Sequence, residues 1–203
     1  AQHGNAIDAA KAAGVRRIVY TSAPKASTSA LVLAPEHKAT EELIAASGLP
    51  STILRNGWYS ENYLPSIEQA RQTGTFLTSA GEGRISSASR KDFAEAAAIV
   101  LTDSSTAGRV YELSGDHAWS QQELADAIST AIGSEVALAN VTPEEHLSAL
   151  VGAGVDEGTA GFLVALDGNT RDGLLDGTSG DLSALIGRPT TPLVDGLREA
   201  VSV

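Results

Sequence analysis

The sequence predicts an α/β fold built on a parallel sheet, and three observations predict it. Short β-branched and aromatic runs of the kind buried in parallel sheets alternate with stretches of helical spacing. Gly and Pro stand at the joints between them. The opening order is helix, strand, helix, strand with short connections, the rhythm of right-handed parallel crossovers.

In chain order, Ala6, Ile7, Ala10 and Ala13 recur at three- and four-residue spacing, so the chain opens on a helix that Gly14 stops. Arg16 to Ser22 (RRIVYTS) is the first strand, bounded by Pro24. Pro35 suits the first turn of a helix running through EHKATEELIAAS to Gly48, with Ala39, Leu43 and Ile44 on one face. Ser51 to Arg55 (STILR) is the second strand. Asn62 to Gln72 reads as a helix interrupted early by Pro65, and Thr75 to Ser79 and Arg84 to Ala88 read as strands around the turn residues Ala80 to Gly83. Asp92 precedes an Ala-rich helix, where it is expected as the N-cap. Arg109 to Ser114 is a further strand, and Ser120 with Glu123 forms a capping box for a helix ending at Gly133. After a strand at Glu135 to Val141, Thr142-Pro143 and Thr191-Pro192 each supply a cap and a first-turn proline. The Gly-rich segment from Gly152 to Gly187 reads as helical in small pieces.

Composition narrows the function. The 203 residues carry 14 Lys plus Arg against 25 Asp plus Glu, a net charge of -11 that opposes contact with nucleic-acid or anionic membrane phosphates. With no Cys, thiol catalysis, Cys-based zinc sites and disulfides are excluded, so the chemistry rests on oxygen, nitrogen or a cofactor. The histidines lack ligand spacing, and no metal site is expected. No apolar run reaches the roughly 20 residues that span a bilayer. The first ten residues lack the layout of a secretory signal, so the expected setting is cytoplasmic.

Ligands of open α/β sheets sit outside the carboxyl ends of the strands, which directs attention to RNGWYSENY, Arg55 to Tyr63, after the second strand. There Asn56 brings an amide that both donates and accepts, Gly57 allows close backbone approach, and Trp58 and Tyr59 offer flat faces. A Gly turn followed by two core aromatics is the competing reading of the same residues. Thr21 and Ser22 stand at the equivalent end of the first strand. His37 and Lys38 read, each alone, as solvated helix residues. Arg90 is a candidate for phosphate or ribose, or a partner for Asp92.

Together, VRRIVYTSA, EHKATEELI, RNGWYSENY, SASRKDFAEAAA, RVYELSGDHAWS and LIGRPTTPL resemble the NmrA-like branch of the atypical short-chain dehydrogenases, and within it the type 2 NAD(P)H:quinone oxidoreductases. The resemblance runs in order over nearly the whole chain. It implies a partial Rossmann-type, doubly wound parallel sheet with a smaller α/β C-terminal substrate domain. Residues 1–115 would hold the C-terminal portion of the NAD(P)-binding domain, with interleaved substrate-domain segments, and 116–203 most of the substrate-binding domain. It further implies NADPH as cofactor and hydride transfer to a small-molecule quinone, with a homodimer among the admissible assemblies. Ser22, Asn56, Gly57, Trp58, Tyr59, Ser60, Glu61, Asn62 and Arg90 fall at cofactor-side positions. Lys38 falls at the lysine of the family's Tyr-x-x-x-Lys pair, but the tyrosine position is Ala34. The usual acid for an alkoxide is therefore missing, which favours a quinone, a strong hydride acceptor, over a ketone. Tyr59 is the candidate substitute donor.

A glycine motif for the pyrophosphate is expected after a first strand, and none precedes Gly14. On the family reading, a βαβαβ unit on the order of 80 residues would lie before this sequence. The absence of Met agrees with that. The 203 residues alone are then expected to bind NADPH weakly. The alternative function is a non-catalytic, NmrA-like dinucleotide sensor.

Overall fold

The computed structural model describes residues 2–202. The elements are α1 (Gln2–Ala12), β1 (Ile18–Ser22), α2 (Ala34–Ser47), β2 (Ser51–Asn56), a 3-10 turn (Ser60–Tyr63), α3 (Leu64–Thr73), β3 (Thr75–Thr78), β4 (Arg84–Ile85) and α4 (Arg90–Thr102). A second 3-10 turn (Ser104–Thr106), β5 (Val110–Leu113), β6 (Trp119–Ser120), α5 (Gln121–Ile132), β7 (Ala137–Asn140), α6 (Pro143–Gly152), α7 (Glu157–Arg171), α8 (Asp181–Ile186) and α9 (Leu193–Val201) follow.

The central sheet has the order β1-β2-β5 and is parallel throughout, with Ile18 opposite Ser51 and Leu54 opposite Tyr111. Successive β2 side chains point to opposite faces, and each face meets its own helices. Ile53 packs with Ile7 of α1 and Ile44 of α2. Leu54 packs with Phe93, Ala96 and Val100 of α4 and with Leu182 and Ile186 of α8. Helices on both faces explain why the strands read as apolar runs without alternation. The remaining elements enclose another core, in which Ile67, Phe76, Trp119, Leu124, Ile128 and Leu197 meet. There β3 pairs with β7 in parallel and β4 with β6 antiparallel.

Several boundaries differ from the sequence reading. The inner face of α2 is Ala34, Thr40 and Ile44, while Leu43 remains 47% exposed and Ala39 faces out, because α1 covers a stripe one position away. The run Arg84 to Ala88 pairs as a strand only at Arg84 and Ile85, with Ala88 joining Tyr59 by a lone bridge. Asp92 does not cap α4. Ser89 does, accepting from the Asp92 N–H, and Asp92 lies one turn inside. Thr191 does not cap α9 either, because its N–H and hydroxyl both donate to Asp92. Within the Gly-rich segment α7 is a continuous helix of 15 residues, started by the Asp156 cap. The capping boxes at Ser120/Glu123 and Thr142/Glu145 are present.

Candidate functional site

The carboxyl ends of β1 and β2 open onto a cavity of about 330 Å³. Ser22 reaches it from β1, Asn56 from the end of β2, and Gly57, Trp58, Tyr59 and Asn62 from the segment that follows. Arg90 closes one side from the first turn of α4. Leu31 and Leu33 before α2, His37 on α2, Phe162 on α7 and Leu175 supply the remaining walls. A neighbouring cavity of about 240 Å³ reaches the end of β5 and shares Pro24, Gly57 and Leu175 with the first.

The loop is held rigidly. Gly57 N–H donates to Leu113 O at 2.7 Å, and a Cβ on Gly57 would stand 3.0 Å from that same oxygen, which is why this crossing takes glycine. Trp58 O and Ser60 N–H both bond to Ala88, joining the loop to the segment that leads into α4. Ser60 Oγ meets Ser87 Oγ at 2.8 Å, and Ser87 Oγ accepts from Trp119 Nε1 at 3.0 Å. Glu61 receives the Arg90 N–H on both carboxylate oxygens, at 2.9 and 3.0 Å, and so caps the amino end of α4. Ser60 and Glu61 therefore support the loop from outside the cavity. Lys38 is exposed on α2 and does not line it.

Inside, Asn56 is buried and donates from Nδ2 to Tyr59 Oη at 3.2 Å, while its Oδ1 is buried without a partner. An orphaned buried acceptor costs about 1–3 kcal/mol, which marks this oxygen as an unmet acceptor beside the cavity. Tyr59 stands edge-on to Phe93, and the Arg90 guanidinium lies 5.1 Å from its ring centre while donating to Asn62 Oδ1 at 3.0 Å. Ser22 Oγ donates to Glu41 at 2.6 Å. Glu41 is gripped by Arg55, which also holds Glu112. Burial opposes the charge on Glu41, yet the bonds from Arg55 and Ser22 outweigh it and keep the carboxyl below its usual range.

Two further polar clusters lie elsewhere. Ser79 Oγ and Asp167 Oδ2 both meet His146 Nδ1, each at 3.1 Å. A hydrolytic triad needs its base bonded through opposite nitrogens, so this arrangement holds β3 to α6 and α7 and activates no nucleophile. The other cluster is Asp92, fully buried, which accepts from Arg188 Nη2 at 2.8 Å and from Thr191 N–H at 2.8 Å. Burial of Asp92 and of Asp167 opposes ionisation, but their hydrogen bonds prevail and both carboxyls lie below the ordinary range. Native pKa values below the unfolded ones mean that the unfolded chain binds more protons at acid pH. Their stabilisation is complete above the unfolded carboxyl pKa of about 4 and is lost as pH falls below it. The urea midpoint is accordingly expected to be flat near neutrality and to drop below about pH 4, and Asp92→Asn together with Asp167→Asn should remove much of that slope. Among the described residues, no group of three or more His, Cys, Asp or Glu is placed to hold a metal ion.

Fold and cavity together define an α/β protein with a cavity at the carboxyl ends of a parallel sheet, lined by an amide, aromatic rings and a guanidinium, the place where such sheets bind ligands. The chain belongs to the NAD(P)H-binding family, whose model matches residues 1–104. It is 47% identical over 174 residues to quinone oxidoreductase 2 of Escherichia coli (strain K12), an alignment covering 85% of this chain and 61% of that protein. The chain thus spans about three fifths of the length of that curated relative. The E. coli NADPH-dependent quinone oxidoreductase solved with NADPH superposes with a TM-score of 0.92 at 45% identity, covering 98% of this chain and 71% of that one. The Citrobacter sp. triphenylmethane reductase complexed with NADP(H) superposes at 0.88 and 37% identity, covering 98% and 70%.

The loop RNGWYSENY was legible from its place after an apolar strand. Leu31, Leu33, Phe162 and Leu175 were not picked out, and His37 read as a solvated helix residue. Their segments carry no local signal, since only the packing of α2 and α7 over the strand ends turns them inward.

Proposed function

We propose that this chain forms the nicotinamide and substrate portion of an NAD(P)H-dependent quinone oxidoreductase, which transfers hydride from NADPH to a small quinone. The observation that carries the reading is Asn56, a residue lining the cavity at the end of a parallel sheet whose buried Oδ1 has no hydrogen-bond partner. A nicotinamide carboxamide presents the N–H donors this oxygen lacks, and Gly57 beside it leaves room for a flat ring. The similarity to quinone oxidoreductase 2 supports the same reading.

On this reading Asn56, Gly57 and Ser22 receive the nicotinamide end, Trp58 and Tyr59 flank the rings, and Arg90 with Asn62 stands toward the cofactor's polar part. NADPH when bound supplies the hydride. The chain's own contribution is to fix the ring planes and exclude water with Leu31, Leu33, Phe162 and Leu175, the positioning that an already electrophilic quinone needs most. Ser60 and Glu61 act by holding the loop. Lys38, exposed and away from the cavity, receives no proton-transfer role here. Residues 1–115 are assigned to the cofactor domain and 116–203 mostly to the substrate domain. The acid excess opposes nucleic-acid partners, a cytoplasmic setting is the reading to check by cell fractionation, and a homodimer is the assembly to test by light scattering. Among the described residues, no helix is long and apolar enough to cross a membrane.

Mixing the full-length protein with NADPH and a benzoquinone is expected to consume nicotinamide absorbance. Tight binding without turnover would instead mark a sensor. Asn56→Leu should weaken NADPH binding about tenfold or more, the cost of removing one buried acceptor. An unchanged Kd by calorimetry would remove Asn56 from the cofactor site.

A further inference from the structure

Hydride addition to a quinone leaves a hydroquinone monoanion, and the new oxyanion takes up one proton. The position of the family's tyrosine is Ala34, buried in the core, so no phenol there can give it. Tyr59 Oη faces the cavity, but its partner is the Asn56 amide, which cannot restore a proton once one is given.

One turn beyond Ala34 on α2, His37 lines the same cavity. Its Nδ1 lies 2.8 Å from Tyr20 Oη, leaving Nε2 as the ring nitrogen able to meet a ligand. Behind this pair, Thr40 Oγ1 donates to the Glu36 carbonyl at 2.9 Å. Thr40 Oγ1 lies 2.8 Å from Nδ1 of His3, a residue exposed to solvent on α1. The Tyr20 ring packs between the two imidazoles, with centroids 5.8 Å from His3 and 5.9 Å from His37. The His37 imidazole and the Tyr20 hydroxyl thus form a bonded pair of exchangeable groups at the edge of the cavity.

We propose that His37 delivers the proton that completes quinone reduction, with the Tyr20 hydroxyl behind it as its proton partner. The proposal rests on the quinone reductase reading. In the step, the C–H or O–H bond made by hydride carries the electron pair into the quinone. The Nε2–H bond of His37 breaks toward the oxyanion, Nδ1 takes the Tyr20 hydroxyl proton, and exchange with water returns a proton to Tyr20 and the ring to its Nε2–H tautomer. The balance is quinone plus hydride plus one solvent proton to hydroquinone. The charged and titratable groups around His37 are Tyr20 on β1, His3 on α1, Glu36 and Glu41 on its own helix, and Arg90 across the cavity. Burial, then the neighbouring His3, lowers the His37 pKa, which keeps the ring neutral near pH 7 and able to accept at one nitrogen while donating at the other.

Three measurements test this on the full-length protein. His37→Gln should lower kcat for a benzoquinone about tenfold or more at neutral pH, with the KM for NADPH unchanged, the range expected for loss of a general acid. A triphenylmethane cation becomes neutral on accepting hydride and needs no proton. The ratio of quinone to dye turnover should therefore fall by a similar factor in His37→Gln, and partly in Tyr20→Phe. A merely structural role would lower both rates together and leave the ratio unchanged, which would overturn the relay. Independently of turnover, titrating hydroquinone alone into protein with isotope-labelled imidazoles should shift the His37 resonance and leave that of His117 in place. No His37 shift would also overturn the relay. If the wild type consumes no NADPH with any quinone, the activity reading itself fails. If it does so and His37→Gln matches it with an unchanged ratio, only the relay fails.

Discussion

Gly115→Ala is expected to destabilise the protein by about 3 kcal/mol or more and to weaken NADPH binding at the same time. A Cβ on Gly115 would stand 2.1 Å from Ser87 O and 3.0 Å from Ser87 C, contacts with backbone that no rotamer change relieves. The clash falls where the chain leaving β5 crosses the segment Ser86 to Ala88, and Gly115 N–H itself bonds to Ser86 O at 2.9 Å. That segment carries Ala88, whose N–H holds Trp58 O, and Ser87, whose hydroxyl meets Ser60. Pushing it outward displaces the site loop as well as the core. Gly161→Ala, at a helical position with open space around its Cβ, is the matched control and should be neutral or stabilising by up to about 1 kcal/mol. Urea denaturation of the two variants, with calorimetric titration of NADPH, decides the matter. Equal midpoints would mean that the crossing is not as tight as the geometry requires.

The second large effect is expected at Arg55. Its guanidinium bonds Glu41 at 2.7 Å and Glu112 at 2.8 Å, and the three side chains are 14%, 14% and 35% exposed. Arg55→Met keeps the stem but leaves two half-buried carboxylates facing one another without a cation. Breaking such a pair costs about 3–5 kcal/mol when fully buried, and partial exposure here reduces the expectation to about 2–3 kcal/mol. The loss should shrink as pH falls through the carboxylate range, because a protonated Glu41 no longer needs its partner. Ser22 Oγ, which donates to Glu41, loses its fixed orientation in the same variant, so cofactor affinity should fall with stability. A loss of stability identical at pH 7 and at pH 4 would contradict the electrostatic origin. Arg55→Lys should recover only part of it, since an ammonium cannot span both carboxylates as the guanidinium fork does.

The sequence alone placed the parallel sheet, most helix starts and the loop at the end of β2 that lines the cavity. Those features are local: apolar runs mark doubly covered strands, Ser120 with Glu123 and Thr142 with Glu145 bond within four residues, and Gly57 follows Asn56, the last residue of its strand, directly. Tertiary structure decided what these pieces meet. Asp92 looked like a cap for its own helix, but Ser89 takes that place, and Arg188 and Thr191, nearly a hundred positions later, take the Asp92 carboxylate into the core. His37 looked solvated, and the packing of α2 against β1 turns it into the cavity beside Tyr20. The pairing of β3 with β7, and of β4 with β6, likewise joins short runs across long stretches of chain. Periodicity and capping are written into neighbouring residues because their partners lie within a turn or two. The partner of a buried charge, or the wall opposite a ligand, is chosen by which surfaces the whole chain can bury together.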